Sequence, residues 1–390
     1  MALPSTPDTL TPAYHALPPS AWGLTLHQWL ATKPAITDLP TPTITLHAPT
    51  LRHNITAMSS WCKEKGIEHA PHGKATMAPA VWKQQIDHGA PAITVANGPQ
   101  AAIAYHAGIH NILIANDITD PAAIAWLSQL SEHGATISVF ADHPDTVTHL
   151  DAHAHGPLDV YAELGTTGGR CGARDLTQLT ATATAVHHSH HLRLVGVGGY
   201  EGSVTGQTDT AALAAIDTYL QQLATAHHTL DYDVPNPAIT VGGSTYYDRI
   251  AALLADQHRV ILRAGAYVVH DHGFYGHIAP AERGNDGPRL HPAVRGRARV
   301  ISLPEANTAI LDGGRRDYSF DQGLPQPLHL NAHTQSIADQ HLIVTGDTTA
   351  LAVGDTVDLA MSHPCTMFDK WRLIPVVDDT HVIDAYLTYF

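Results

Sequence analysis

From about residue 41 the chain alternates between two textures. Short β-branched or apolar runs end in small or polar residues, and each is followed by a segment of helical period. The runs are IEHAPHGK (67–74), AITVAN (92–97), NILIAND (111–117), ATISVFAD (135–142), DVYAELG (159–165), LRLVGVGGY (192–200), AITVGGST (238–245) and VILRAGAY (260–267). Between them, Leu51, Ile55, Met58 and Cys62 recur at i, i+4, i+7 and i+11, one face of a helix with Thr50 as candidate N-cap and Gly66 as stop. Asp120, Pro121 and Gly134 bracket another helix in the same way. Eight strands alternating with helices over ~230 residues predict a (β/α)8 TIM-type barrel of the α/β class, with an open doubly wound sheet as the alternative.

After Tyr275 the texture changes. GHIAPAERGNDGPRLHP is turn-rich, and the short runs RARVISL, TAILDG, HLIVTG, DTVDLAM, WRLIPVVD and HVIDAYLTYF follow without helices. The expected organisation is an N-terminal arm (1–40) with a short helix near Trp22–Thr32, packing on the β domain. A barrel (41–275) and a C-terminal all-β domain (276–390) follow.

Composition narrows the function. A net charge of −15 argues against nucleic acid and anionic membranes as partners. No apolar run approaches the ~20 residues of a membrane span, and no basic-then-apolar leader opens the chain. Three cysteines far apart, Cys62, Cys171 and Cys365, suit free thiols in a reducing compartment, so a cytoplasmic location is expected. The 30 histidines are too many to be ligands, and pairs such as His187-His188 read as solvated surface. Lysine is scarce, which makes Lys74 conspicuous.

Catalysis in such barrels sits at the C-terminal ends of the strands. Lys74 ends the first run, where desolvation would lower its pKa and make it a usable amine, or it is a surface loop lysine. VGGST places Gly242, Gly243, Ser244 and Thr245 before a helix, and RAGAY places Gly265 and Ala266 after the eighth run. Both suit a phosphate cradle, or are tight turns. Arg170 lies in the glycine-rich ELGTTGGRCGAR, as an anion ligand or a solvated side chain. Tyr200 ends the sixth run, as packing or function. His363 and Cys365 alternate across one residue, so a strand would point both the same way. Imidazole with thiolate suits zinc, and two ligands leave positions open, although the stretch taken alone reads more simply as a β-bend with a buried cysteine.

Taken together, PHGKATMAP, GRCG, GYEG, VGGST, RAGAYVVHDHG and SHPCTMFDKW resemble the fold-type III pyridoxal-phosphate enzymes, in particular the D-serine dehydratase and D-threonine aldolase family, over residues 40–390. The resemblance implies that Lys74 holds pyridoxal 5′-phosphate and later moves the substrate's Cα proton. It implies that Gly242, Gly243, Ser244, Thr245, Gly265 and Ala266 cradle the phosphate, that Arg170 meets the cofactor's 3′-oxygen and that Tyr200 lies by its ring. It assigns His363 and Cys365 to a divalent metal, zinc first, with manganese or cobalt as alternatives. It further implies a homodimer and a small D-amino acid substrate. Three departures stand out: Ala75-Thr76-Met77 follows the lysine instead of Thr-His, Gly206 stands where the aldolases carry a base histidine, and Cys365 replaces their aspartate. The last two favour β-elimination from a β-hydroxy-D-amino acid such as D-serine. Retro-aldol cleavage, a non-catalytic cofactor carrier and a racemase are the rivals, and the racemase leaves the His363–Cys365 pair without a role.

Overall fold

A computed structural model describes residues 3–4 and 6–390. Eight parallel strands form the first sheet: β2 (Glu68–His69), β3 (Ile93–Val95), β4 (Asn111–Ile114), β5 (Thr136–Ala141), β6 (Leu158–Leu164), β7 (Leu192–Gly199), β8 (Ala238–Val241) and β9 (Arg259–Leu262). Their order is β2-β9-β8-β7-β6-β5-β4-β3, and a parallel bridge between His72 and Thr94 joins the two ends of that order. This is the (β/α)8 barrel expected from the eight runs.

Side-chain alternation separates the barrel's two layers. On β6, Val160, Ala162 and Leu164 join the large core under the helices. Tyr161 points the other way and packs with Phe140, Leu113, Val195, Ala238 and Ile261, one residue from each of several strands. The helix Ala48–Glu64 buries Leu51, Ile55, Met58 and Cys62 on the expected face. It begins two residues before the expected cap Thr50, because Pro49 in its first turn has a helix-compatible φ and no N–H to satisfy. Asp120 caps Pro121–Glu132 as expected, accepting from the Ala122 amide.

The second sheet comprises β1 (Thr43–His47), β10 (Val294–Glu305), β11 (Thr308–Leu311), β12 (Gln326–Pro327), β13 (Ala332–Ile337), β14 (Leu342–Gly346), β15 (Thr356–Ala360), β16 (Leu373–Val377) and β17 (Val382–Leu387). Its main order is β13-β14-β11-β10-β1-β16-β17. β1 pairs antiparallel with β10 and parallel with β16. Residues 43–47, which the sequence reading placed at the head of the barrel, therefore belong to the other sheet. The N-terminal segment covers this sheet: Leu10, Leu17, Leu26, Trp29 and Leu39 bury themselves against Leu373, Val377, Val382 and Leu387. Its helix spans Leu26–Leu30 and opens with a Thr25–Gln28 capping box. Among the described residues no helix is long and apolar enough to cross a membrane.

Candidate active site

A cavity of about 420 Å³ opens at the C-terminal ends of the barrel strands. It is lined by Lys74, Arg170, Tyr200, Gly242, Gly243, Ser244, Gly265, Ala266 and Cys365 from the residues singled out in the sequence. Lys74 stands in the single turn Gly73–Ala75 that follows β2. Burial lowers its pKa; the nearby Cys365 sulfur opposes this, and Arg170 and Arg263 add to it. The amine is therefore nearer to its free-base form than a surface lysine.

Two glycines on the cavity wall are required by close approach. A Cβ at Gly265 would lie 2.5 Å from the His72 carbonyl oxygen. Gly242 has φ +108, and a Cβ there would meet Leu262 Cδ1 at 2.5 Å. Ser244 lines the cavity three residues before the helix Tyr247–Leu254. The Gly243 amide is already engaged, donating to Glu201 Oε1 at 3.0 Å. Thr245 lies behind the wall, its carbonyl accepting from Arg283 Nη2 at 2.8 Å. Of the expected cradle, Gly242, Gly243, Ser244, Gly265 and Ala266 line the cavity, and Thr245 is not among its lining residues.

The Arg170 guanidinium stacks 4.8 Å from the Tyr200 ring centroid. Arg174 pins the loop beneath it, donating to the carbonyls of Gly172 (2.9 Å) and Arg170. Arg263 forms the floor, donating to Gly199 O (2.6 Å) and Thr240 Oγ1 (2.9 Å) while lying over Phe140. Its position in RAGAY made it visible in the sequence only as part of a turn. His72, Glu163 and Tyr275 also line the cavity without having been anticipated. His72 Nδ1 and Glu163 Oε2 are buried without a hydrogen-bond partner in the protein. Burial, then the charge of Asp117, pushes the Glu163 carboxyl up to about 7.

His363 and Cys365 do not lie on a strand. Pro364 between them starts a short turn, Pro364–Thr366, and His363 adopts a left-handed backbone at φ +48. A proline cannot donate to a ladder, and its ring restricts the residue before it, so the pair is presented from a bend. Cys365 lines the cavity. Burial pushes its thiol up to about 11, opposed by Lys74 and by a hydrogen bond with Tyr275. The His363 ring stands beside Phe274 and Tyr275, at 5.7 and 6.2 Å between centroids, and its Nδ1 is 2.6 Å from Asp321 Oδ2. One buried carboxylate ties this bend to the barrel: Asp271, after β9, accepts from the amides of Tyr275 (2.9 Å) and His363 (3.1 Å). Asp369 and Lys370 lie in the short turn Phe368–Lys370, and the buried Trp371 that follows donates from Nε1 to Asp317 O at 2.8 Å. Among the described residues, the group with three metal-type donor atoms within 4.8 Å of one another is Asp117, Asp142 and Cys171, at the rim near Glu163.

The family model of a putative serine dehydratase domain matches residues 293–377. A 3-hydroxy-D-aspartate aldolase of Paracoccus denitrificans (strain Pd 1222) is 26% identical over 84% of this chain and 85% of its own. A D-threonine aldolase of Arthrobacter sp. is 27% identical over 89% and 91%. Among solved structures, D-threonine aldolase from Filomicrobium marinum superposes with a TM-score of 0.81 at 22% identity, covering 91% of this chain and 97% of its own. A mutant of D-threo-3-hydroxyaspartate dehydratase in the metal-free form gives 0.74 at 21% over 90% and 98%. Alanine racemase from Bacillus anthracis gives 0.62 at 14% over 89% and 97%. The resemblance to fold-type III enzymes with an alanine-racemase-like barrel is borne out by these relatives.

Proposed function

We propose that this chain is a pyridoxal-phosphate- and divalent-metal-dependent lyase that removes water and ammonia from a β-hydroxy-D-amino acid. The observation that carries the reading is the meeting of Lys74 and Cys365 across one cavity, close enough for their charges to shift each other. The cavity's donor set fits the cofactor: an amine for the aldehyde, the cations of Arg170 and Arg263, the Ser244 wall, and the unpartnered His72 Nδ1 and Glu163 Oε2. His363 and Cys365 offer one neutral and one thiolate ligand for a borderline-soft cation.

When bound, the cofactor supplies an electron sink for negative charge at the substrate's Cα, and the cation supplies Lewis acidity at the β-hydroxyl. Lys74 would hold the cofactor in the resting enzyme and take the Cα proton on its amine, which burial favours. Arg170, stacked on Tyr200, and the fixed Arg263 would hold their ends of the cofactor without moving. Tyr275 lines the cavity beside Cys365 and its hydroxyl favours the thiolate. The substrate loses its Cα hydrogen and β-hydroxyl as water, and hydrolysis of the product enamine yields a 2-oxo acid and ammonia.

Retro-aldol cleavage is the second reading, and the names of the aldolase relatives favour it. It needs a base on the β-hydroxyl. Gly206, where the resemblance would put that base, is exposed, with nothing within 4 Å of where its Cβ would be. This supports elimination.

The test is incubation of the purified protein with D-serine, D-threonine and D-3-hydroxyaspartate, with and without a chelator. Elimination gives ammonia and a 2-oxo acid that the chelator suppresses. Glycine with an aldehyde or glyoxylate would establish the aldolase reading instead. Lys74→Ala is expected to remove the bound cofactor's visible absorption and to lower kcat on the order of 10²–10⁴-fold. An unchanged absorption would refute the cofactor assignment itself.

A further inference from the structure

We propose that Asp321 is the positioning residue of the divalent-metal site. In this proposal it accepts the His363 Nδ1 proton, fixes the ring's tautomer and leaves Nε2 as the metal-binding atom. The inference rests on the metal reading of His363 and Cys365 given above.

Asp321 lies in the loop that follows β11, far in sequence from the His363 bend, and the tertiary fold brings the two together. Its Oδ2 is 2.6 Å from His363 Nδ1, and its Oδ1 accepts from Thr366 Oγ1 at 2.7 Å. Both carboxylate oxygens are therefore occupied by the metal loop itself, so Asp321 orients the loop and does not serve as a ligand. An imidazole whose Nδ1–H is given to a carboxylate keeps its Nε2 lone pair free and more basic. The backbone enforces the same orientation. His363 holds a left-handed φ of +48, a strained conformation for a non-glycine residue. The Asp271 carboxylate on the His363 amide keeps it there. Phe274 and Tyr275 flank the ring, and Ser362 is tied by its hydroxyl to Gln322 O at 2.5 Å, next to Asp321 in the chain. With only two protein ligands in the reading, affinity depends on how well each is aimed.

The experiment uses cofactor-loaded enzyme stripped of metal by a chelator. Zn2+ affinity is measured by competition with a chromogenic chelator, and Co2+ binding by its thiolate absorption. Asp321→Ala is expected to weaken both by about 10–100-fold with the cofactor absorption unchanged. Asp321→Asn, whose amide oxygen still accepts the Nδ1 proton, should lose less, and Thr366→Val should shift affinity in the same direction by a smaller factor. His363→Ala and Cys365→Ala serve as controls. If these controls lose Zn2+ binding while a folded Asp321→Ala binds within about twofold of the parent, the positioning role is overturned and the metal site stands. If the controls also leave Zn2+ and Co2+ binding unchanged, the metal reading falls, and this inference with it.

Discussion

Glu163 shows how much a single side chain can reveal about a site. It ends β6, lines the cavity and has a buried carboxylate oxygen without a partner in the protein. Burial and the charge of Asp117 hold its pKa up at about 7, against the pull of Arg263. The sign follows from linkage. A raised carboxyl pKa means that the folded state keeps a proton the unfolded chain releases, so stability is lost as pH rises from the ordinary glutamate range to about 7. Glu163→Gln removes that loss. In the cofactor-free protein, the variant should melt at a higher temperature than the parent at pH 8, and the two should converge near pH 4.5. A gap of equal size at both pH values would show that the carboxyl does not titrate as described. Lys74 obeys the same rule with the opposite charge: burial favours the neutral amine.

Elements position these residues through their ends more than through their lengths. β2 contributes two ladder residues, yet the turn after it carries Lys74. The approach of that turn to the loop after β9 leaves no space at Gly265, where a Cβ would lie 2.5 Å from the His72 oxygen. Gly265→Ala must therefore shift the segment bearing His72 and Lys74, at a cost of about 1–3 kcal/mol. The expected outcome is weaker cofactor binding by absorbance titration in a protein that still unfolds cooperatively in urea. Cofactor affinity equal to the parent's would mean that the two loops are not as tightly apposed as these contacts require. The bend Ser362–Thr366 depends on its neighbours in a similar way: Asp271 from the barrel and Asp321 from the β domain grip it from two sides.

The whole molecule is two sheets with one site between them. Lys74 comes from the barrel and Cys365 from the β domain, so neither unit holds the proposed chemistry alone. The N-terminal segment belongs to this arrangement because it covers β16 and β17, with Trp29 only 2% exposed. Trp29→Ala should cost about 3–5 kcal/mol, read from urea unfolding, since a large buried side chain leaves a cavity. A loss below about 1 kcal/mol would mean that the segment is not a fixed part of the core. The sequence by itself determined the eight βα units, the β-rich second half, and half of the residues around the cavity, because each strand carries its own period and places particular residues at its own end. Lys74, Tyr200, Gly242, Ser244 and Gly265 follow strand ends in this way, whereas the family resemblance singled out Arg170 and Cys365. Only the tertiary structure decided that residues 43–47 pair with β10 and β16, since a short apolar strand does not encode which sheet it joins. The tertiary structure also decided the bend at His363, the engagement of the Gly243 amide by Glu201, and the contacts of Asp271, Asp321 and Arg263. Those residues act through partners distant in the chain, and neither composition nor local spacing records such a partner.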